Sequence, residues 1–462
     1  MNISVILEMV ASAGDRVVVT AENRSLTTME LLDLARSAAG RFRGYTAVLY
    51  PGTNHLAYPV ALFGAALAGV PFVPLNYRLS ERRLADLIAH HPGALVLRDL
   101  DALLDGTPAP VEAPQDRDAV AALIYTSGTT AEPKAAVLRH RHLLAYVFNT
   151  LEFASAEPAD AALVSVPPYH IAGLTNLLSN LYTGRRVVYL PAFDAADWLD
   201  TVRRERITHA MLVPTMLARI VAAVDGDDAD TPTLRGLAYG GARTPRPVLE
   251  RALHLFSHTG FVNAYGLTET ASSIAVLGPE EHREGDRLGS VGRALPGVEI
   301  QIRRENGEPA ATGETGLVFV RGEQISGEYG GRSVLDAEGW FSTRDNGRLD
   351  DGGYLFIEGR ADDTIIRGGE NIAPAEIEDV LVACPGIVEA AVVGVPDPEW
   401  GQRLVAVVVG EGEPEDVREW VRARLRSSKT PDAVVFRAEL PRTETGKLLR
   451  RTLLAELEST HA

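Results

Sequence analysis

AALIYTSGTTAEPK, residues 121–134, changes texture at its midpoint. Ala121 to Tyr125 are continuously apolar, the form of a strand covered on both faces. Thr126, Ser127, Gly128, Thr129 and Thr130 follow as four hydroxyls around a glycine, and Lys134 brings a positive charge just beyond them. Hydroxyl donors, exposed backbone N–H groups and a cation at the end of a buried strand suit a polyphosphate. The spacing is not the G-x-x-x-x-G-K of a Walker loop. Taken alone, the residues leave a hydroxyl-rich surface turn equally open.

Outward from this stretch, similar apolar runs recur with helical segments between them: TAVLY (46–50), VPFVPL (70–75), ALVLR (94–98), ALVSVPP (162–168), RVVYLP (186–191), HAMLVP (209–214) and GLAYGG (236–241). That alternation predicts an α/β protein whose sheets are layered with helices. From about Val298 the strands shorten and Gly, Asp and Asn turns separate them (VEIQIRR, GLVFVRG, GWFST, GYLFIEG), which predicts an antiparallel, β-barrel-like subdomain. A small α+β unit begins near Arg360. Its first helix opens at Pro374 with Ile377, Val380, Leu381 and Cys384 on one face, which reads Cys384 as a core thiol. A second helix has Pro414 in its first turn and Val417, Trp420, Val421 and Leu425 inward.

The chain has 462 residues, enough for two or three compact units. Its formal charge of −17 argues against nucleic acid or an anionic membrane as the main partner. A small anionic ligand needs only a local positive site and remains allowed. A single cysteine forbids an internal disulfide and fits a reducing compartment. The start, MNISVILEMV, has no basic region ahead of its apolar stretch, so no signal peptide is expected and the location predicted is cytoplasmic. Leu56 to Leu75 carries no charge and is long enough to span a bilayer, but Pro59, Gly64, Gly69, Pro71 and Pro74 punctuate it. A helix from Pro59 to a Gly69 cap, then a buried strand, is predicted instead of a span.

Further motifs follow in order. NAYGLTET (263–270) places Glu269, a hard oxygen ligand of the kind Mg²⁺ uses beside phosphates, next to Thr268. GWFSTRDNG (339–347), EGRADDTIIRGGENI (358–372) and PRTETGK (441–447) come after it. Together, from AGVPFVPLNYRLS (68–80) to the C-terminal PRTETGKLLRR, the chain resembles the adenylate-forming superfamily of acyl- and aryl-CoA synthetases, luciferases and peptide-synthetase adenylation domains.

The resemblance implies an ATP-binding and carboxylic-acid-binding N-terminal domain, 1–361, and a mobile lid, 362–462. It implies two half-reactions. A carboxylate attacks the α-phosphate of Mg·ATP to give an acyl-adenylate and pyrophosphate; a thiol, usually coenzyme A, then displaces AMP. On the matching positions, Thr126, Ser127, Gly128, Thr129, Thr130 and Lys134 handle the β- and γ-phosphates. Gly240 and Gly241 lie beside the adenine and Tyr265 stacks on it. Thr268 contacts the α-phosphate and Glu269 holds Mg²⁺. Asp345 binds the ribose with Arg360 assisting, Asp362 is the hinge, and Lys447 is the catalytic lysine of adenylation. His170, in PPYHIAGL (167–174), closes the acyl pocket, with Ile171, Leu174, Met216, Tyr239 and Ala264 to Leu267 as further lining candidates. Gly368 and Gly369 admit the thiol, and Trp400 stacks on the CoA adenine.

The chain departs from the family at three places. Ala131 and Ala135 stand where the loop around the lysine has glycines, and Arg344 replaces the glycine before the ribose acid. Amino-acid-activating relatives carry an Asp in the acyl-pocket segment, and no acid lies between Pro167 and Gly184, which favours a non-amino acid, fatty or aromatic. No carrier-protein domain is expected after Ala462, and the expected acceptor is CoA or a carrier-bound phosphopantetheine supplied in trans; a nitrogen nucleophile is the third alternative. A homodimer is allowed by the sequence and not required by it.

Overall fold

The computed structural model describes residues 1–107, 111–126, 134–443 and 448–460. Two sheets share one large core. The nine-stranded sheet is parallel through its centre, in the order Gly260–Leu267, Gly236–Gly240, His209–Leu212, Ala161–Val164, Arg186–Tyr189 and Val17–Ala21, with antiparallel strands added at both edges. The seven-stranded sheet is parallel across Val120–Thr126, Phe72–Pro74, Val48–Tyr50 and Leu95–Val96. Beyond Val120–Thr126 it turns antiparallel through Lys134–Arg139, Glu328–Tyr329 and Arg332–Ser333.

The charge-free run forms the helix Ala57–Ala68, buried along its length up to Leu67 and closed by Gly69 at φ +74°. It is apolar all round because neighbours cover every face: Gly64 meets Ala38 and Phe42 of helix Thr28–Phe42. Each Leu, Val or Phe fully buried there contributes roughly 1.5–3 kcal/mol. Among the described residues no helix is long and apolar enough to cross a membrane.

The strands Val298–Arg303, Gly316–Gly322, Phe341–Leu349 and Leu355–Arg360 form an antiparallel sheet with its own core around Ile302, Val318, Val320 and Leu355. Its outer strands do not pair with each other, so it stays open. A smaller α+β part follows, built on the sheet Ile387–Asp397, Gly401–Gly410 and Ala433–Arg437. Helices Pro374–Val382 and Pro414–Arg422 cover one face through Ile377, Leu381, Val417 and Val421. Helix Arg450–Thr460 covers the other through Leu453 and Leu457. Cys384 lies in the first of these cores, and burial raises its thiol pKa, as an inert core cysteine requires.

Candidate active site

The strand Gly260–Leu267 delivers Tyr265 and then breaks into the turn Thr268–Thr270. Tyr265 donates its hydroxyl to Asp345 Oδ2 at 2.5 Å. Burial, then the carboxylate, pushes the Tyr265 pKa well up, so it remains a neutral donor. Asp345 and Arg360 are partners in the antiparallel ladder, and the Arg360 guanidinium reaches Asp345 Oδ1 at 3.1 Å. Arg360 also donates to the Thr343 carbonyl at 2.7 Å, while Asp345 N–H donates to Thr343 Oγ1 at 3.1 Å. An acid only 6% exposed is thus held in one orientation by a tyrosine, an arginine and a threonine.

Glu269, 8% exposed, accepts a hydrogen bond from Tyr329, and its carbonyl accepts from Ser326 N–H at 2.8 Å. Tyr329 pairs with Ala136, on the strand that begins at Lys134. The neighbouring Glu328 forms a two-pronged ion pair with Arg139, at 2.8 and 2.9 Å. Glu269 is therefore tied to the strand that leaves the hydroxyl-rich loop. Thr126 and Lys134 face each other in the ladder, with Thr126 Oγ1 donating to the Lys134 carbonyl at 3.3 Å and the Lys134 side chain exposed. Ser127, Gly128, Thr129, Thr130 and Lys447 lie outside the described residues. Ala135 sits in a regular antiparallel pair with Tyr125, where negative φ is the ordinary state and glycine is not needed. Arg344 differs: its φ is +59°, a region that costs a non-glycine residue about 1–2 kcal/mol.

Gly240 pairs with Ala264, and a Cβ on it would stand 2.1 Å from the Ala264 carbonyl oxygen, so only glycine fits. Tyr239 corrects one expectation. It shares the Leu237 face of its strand, packs against Phe261 and bonds His282 Nε2 at 2.9 Å, so it belongs to the core and not to an acyl pocket. His170 caps the segment before helix Ile171–Thr183, with its ring 4.5 Å from that of Tyr169. Burial, then the charge of Arg78, holds its pKa down to about 4, so the ring is neutral near pH 7. Among the described residues its buried Nε2 has no hydrogen-bond partner, leaving a polar atom for a substrate group to satisfy.

A second group sits on the smaller part. Gly368 and Gly369, at φ +56° and +81°, make the two-residue turn of the hairpin Ile365–Arg367 and Glu370–Ile372, a turn that demands positive φ twice. Trp400 lies on this turn: its carbonyl accepts from Gly368 N–H at 2.8 Å, and its ring would crowd a Cβ at 368 at 3.0 Å. Asp397 accepts from the backbone N–H groups of Glu399 and Trp400, both at 2.9 Å, which presents an indole 49% exposed. Asp362 is exposed on the turn Ala361–Asp363 between the two parts. Arg243, just after Gly240 and Gly241, pairs with Asp379 across them.

Sequence reasoning missed Tyr329 and the Arg139–Glu328 pair. Neither stands near Glu269 in the chain, and no local pattern marks them. Thr343 was within reach, since it directly precedes the Arg344–Asp345 dipeptide.

The family model described as AMP-binding enzyme matches residues 7–329, and that of the AMP-binding enzyme C-terminal domain matches 376–447. The chain is 36% identical over 470 residues to a feruloyl-CoA synthase of Amycolatopsis sp, covering 93% of this chain and 94% of that protein. It is 33% identical over 482 residues to ScoC of Streptomyces coeruleorubidus, a fatty acid–[acyl-carrier-protein] ligase, covering 94% and 92%. The structure of o-succinylbenzoate CoA synthetase (MenE) from Bacillus subtilis, in complex with the acyl-adenylate intermediate OSB-AMP, is similar with a TM-score of 0.85 and 30% identity, over 97% of both chains.

Proposed function

The chain belongs to the AMP-binding enzymes, and on that premise we propose that it is an ATP-dependent carboxylic acid:CoA ligase working through an acyl-adenylate. The observation that carries the proposal is the buried Asp345, oriented by Arg360 and by Tyr265, whose strand runs into the turn carrying Glu269, in a chain similar throughout to a CoA synthetase caught with its acyl-adenylate.

In the first half-reaction a substrate carboxylate oxygen bonds to the α-phosphorus of ATP, and the bond to the bridging oxygen breaks with pyrophosphate leaving. In the second, a thiol sulfur bonds to the acyl carbonyl carbon, the carbon–oxygen bond to AMP breaks, and the thiol gives up its proton. Asp345 and Arg360 hold the ribose, Tyr265 lies against the adenine with Gly240 and Gly241, and Thr268 donates to the α-phosphate. Among the described residues no three His, Cys, Asp or Glu side chains form a metal cage. A lone carboxylate beside phosphates fits Mg²⁺, which keeps waters and shares substrate oxygens. Glu269, with one oxygen fixed by Tyr329, would hold it. When bound, the ion supplies neutralising charge to the phosphates. His170, neutral and unpartnered, orients the acid. Residues 1–361 bind ATP and acid, and 362–462 form the moving lid, a division supported by their separate cores. We place the enzyme in the cytoplasm.

The acid is a non-amino carboxylic acid, supported by the acid-free segment after Pro167 and by the feruloyl-CoA synthase likeness. The likeness to ScoC supports a second acceptor, a carrier-protein phosphopantetheine. Screening aryl and fatty acids for pyrophosphate release, then adding CoA and weighing the product, tests the reading. An adenylate formed with no thioester under any acid would remove the CoA ligase assignment.

Trp400→Ala separates the acceptors. If the indole stacks on the CoA adenine, the KM for CoA should rise ~10- to 100-fold, since such stacking is worth ~1–3 kcal/mol. Pyrophosphate exchange should be unchanged, because CoA is absent from that step. An unaltered KM in a stably folded variant would favour the carrier protein.

A further inference from the structure

Thr343, Arg344 and Asp345 bulge from their strand opposite the single residue Val318, because Leu317 pairs with Asn346 and Phe319 with Ser342. Bulges re-aim side chains and gather beside active sites. This one turns Asp345 inward, where Tyr265, Arg360 and Thr343 engage it, and leaves Arg344 exposed. The other site arginines are paired, Arg360 with Asp345 and Arg139 with Glu328. Among the described residues Arg344 has no ion pair, and only its backbone N–H is bonded, to Ser342 Oγ at 3.4 Å.

The Arg344 charge is linked to Glu269 through Tyr329. It is felt at the Tyr329 hydroxyl, as is that of Arg360, and Tyr329 is the group bonded to Glu269. A disfavoured backbone persists where the surroundings over-determine it, and such residues cluster at ligand clamps. Here strain, bulge and an unpaired cation coincide at one residue. The anion they fit is a phosphate, because guanidinium offers parallel donors to two of its oxygens.

We propose that Arg344 binds the β- and γ-phosphates of ATP and then the departing pyrophosphate, a contact unavailable where the related motif has glycine. The proposal rests on the reading of this chain as an ATP-using ligase.

Calorimetric titration of the full chain with Mg·ATP, and separately with AMP, tests this. Arg344→Ala should weaken ATP binding ~10-fold or more, the scale of a lost charge-assisted bond, and leave AMP binding within about twofold. Arg344→Lys should recover part of the loss. Arg344→Gly suits the left-handed backbone, so it should melt no lower than the wild type while showing the same ATP defect. Unchanged ATP affinity in Arg344→Ala would overturn the proposal. So would equal losses for ATP and AMP, which would make Arg344 a support for the Asp345 pocket. A wild-type chain that binds neither nucleotide would instead defeat the ligase reading on which the proposal stands.

Discussion

Replacing Lys447 with alanine is expected to slow adenylate formation by ~10²–10³-fold or more, while sparing thioester formation from a supplied acyl-adenylate. In the first step negative charge spreads over the non-bridging oxygens of the α-phosphate. A cation placed there stabilises the transition state more than the ground state, which is what raises the rate. No such charge develops on phosphorus when the thiol attacks the acyl carbon. Lys447 follows Thr443, Thr445 and Gly446, a stretch with small and polar side chains. Arg442 and Leu448, on either side of it, are joined by an antiparallel bridge. The check is to time both half-reactions separately. Adenylation near the wild-type rate in Lys447→Ala would remove the residue from the mechanism.

The second large effect is expected at Asp362. The chain is anchored on both sides of it. Arg360 is bound to Asp345 and to the Thr343 carbonyl of the larger part. Asp363 is bound to Arg450 at 3.3 Å, and Arg450 in turn grips Glu378 of the smaller part. Only Ala361 and Asp362 lie between these anchors, so a rotation of one part against the other must be taken up in their backbone angles. The bond from Asn346 to Thr364 Oγ1, 3.2 Å, would have to break in such a rotation. Proline fixes φ near −65°. Asp362→Pro should therefore keep pyrophosphate release and slow the thioester step by ~10²-fold, the cost of misplacing reacting groups by about an ångström. Equal loss of both steps in a folded variant would mark Asp362 as structural.

Much of this protein was legible in the chain because the relevant signals are local. Apolar runs bounded by turn residues marked most of the parallel strands of both large sheets, and not the antiparallel strands at their edges. Proline at the start and glycine at the end bounded the buried helix Ala57–Ala68, and a stripe of Ile377, Leu381 and Cys384 marked the core face of a helix in the smaller part. Glu269 and Asp345 were legible because their motifs are contiguous. Gly368 and Gly369 were read only as glycines that admit a thiol, and that they make a hairpin turn with two successive positive φ angles is a finding of the structure.

What the tertiary structure decided is whatever depends on contacts between distant segments. That Glu328–Tyr329 joins the strand carrying Lys134, and so brings a tyrosine to Glu269, follows from sheet pairing across nearly two hundred residues. That Tyr239 faces His282 follows from which side of its strand the core covers, and strand periodicity names two faces without saying which is which. The bulge at Arg344 exists because Leu317 and Phe319 set their partners, Asn346 and Ser342, two residues further apart than a regular ladder allows. Period, capping and turn chemistry act within a few residues, whereas register and side-chain partners are settled only when the sheets close.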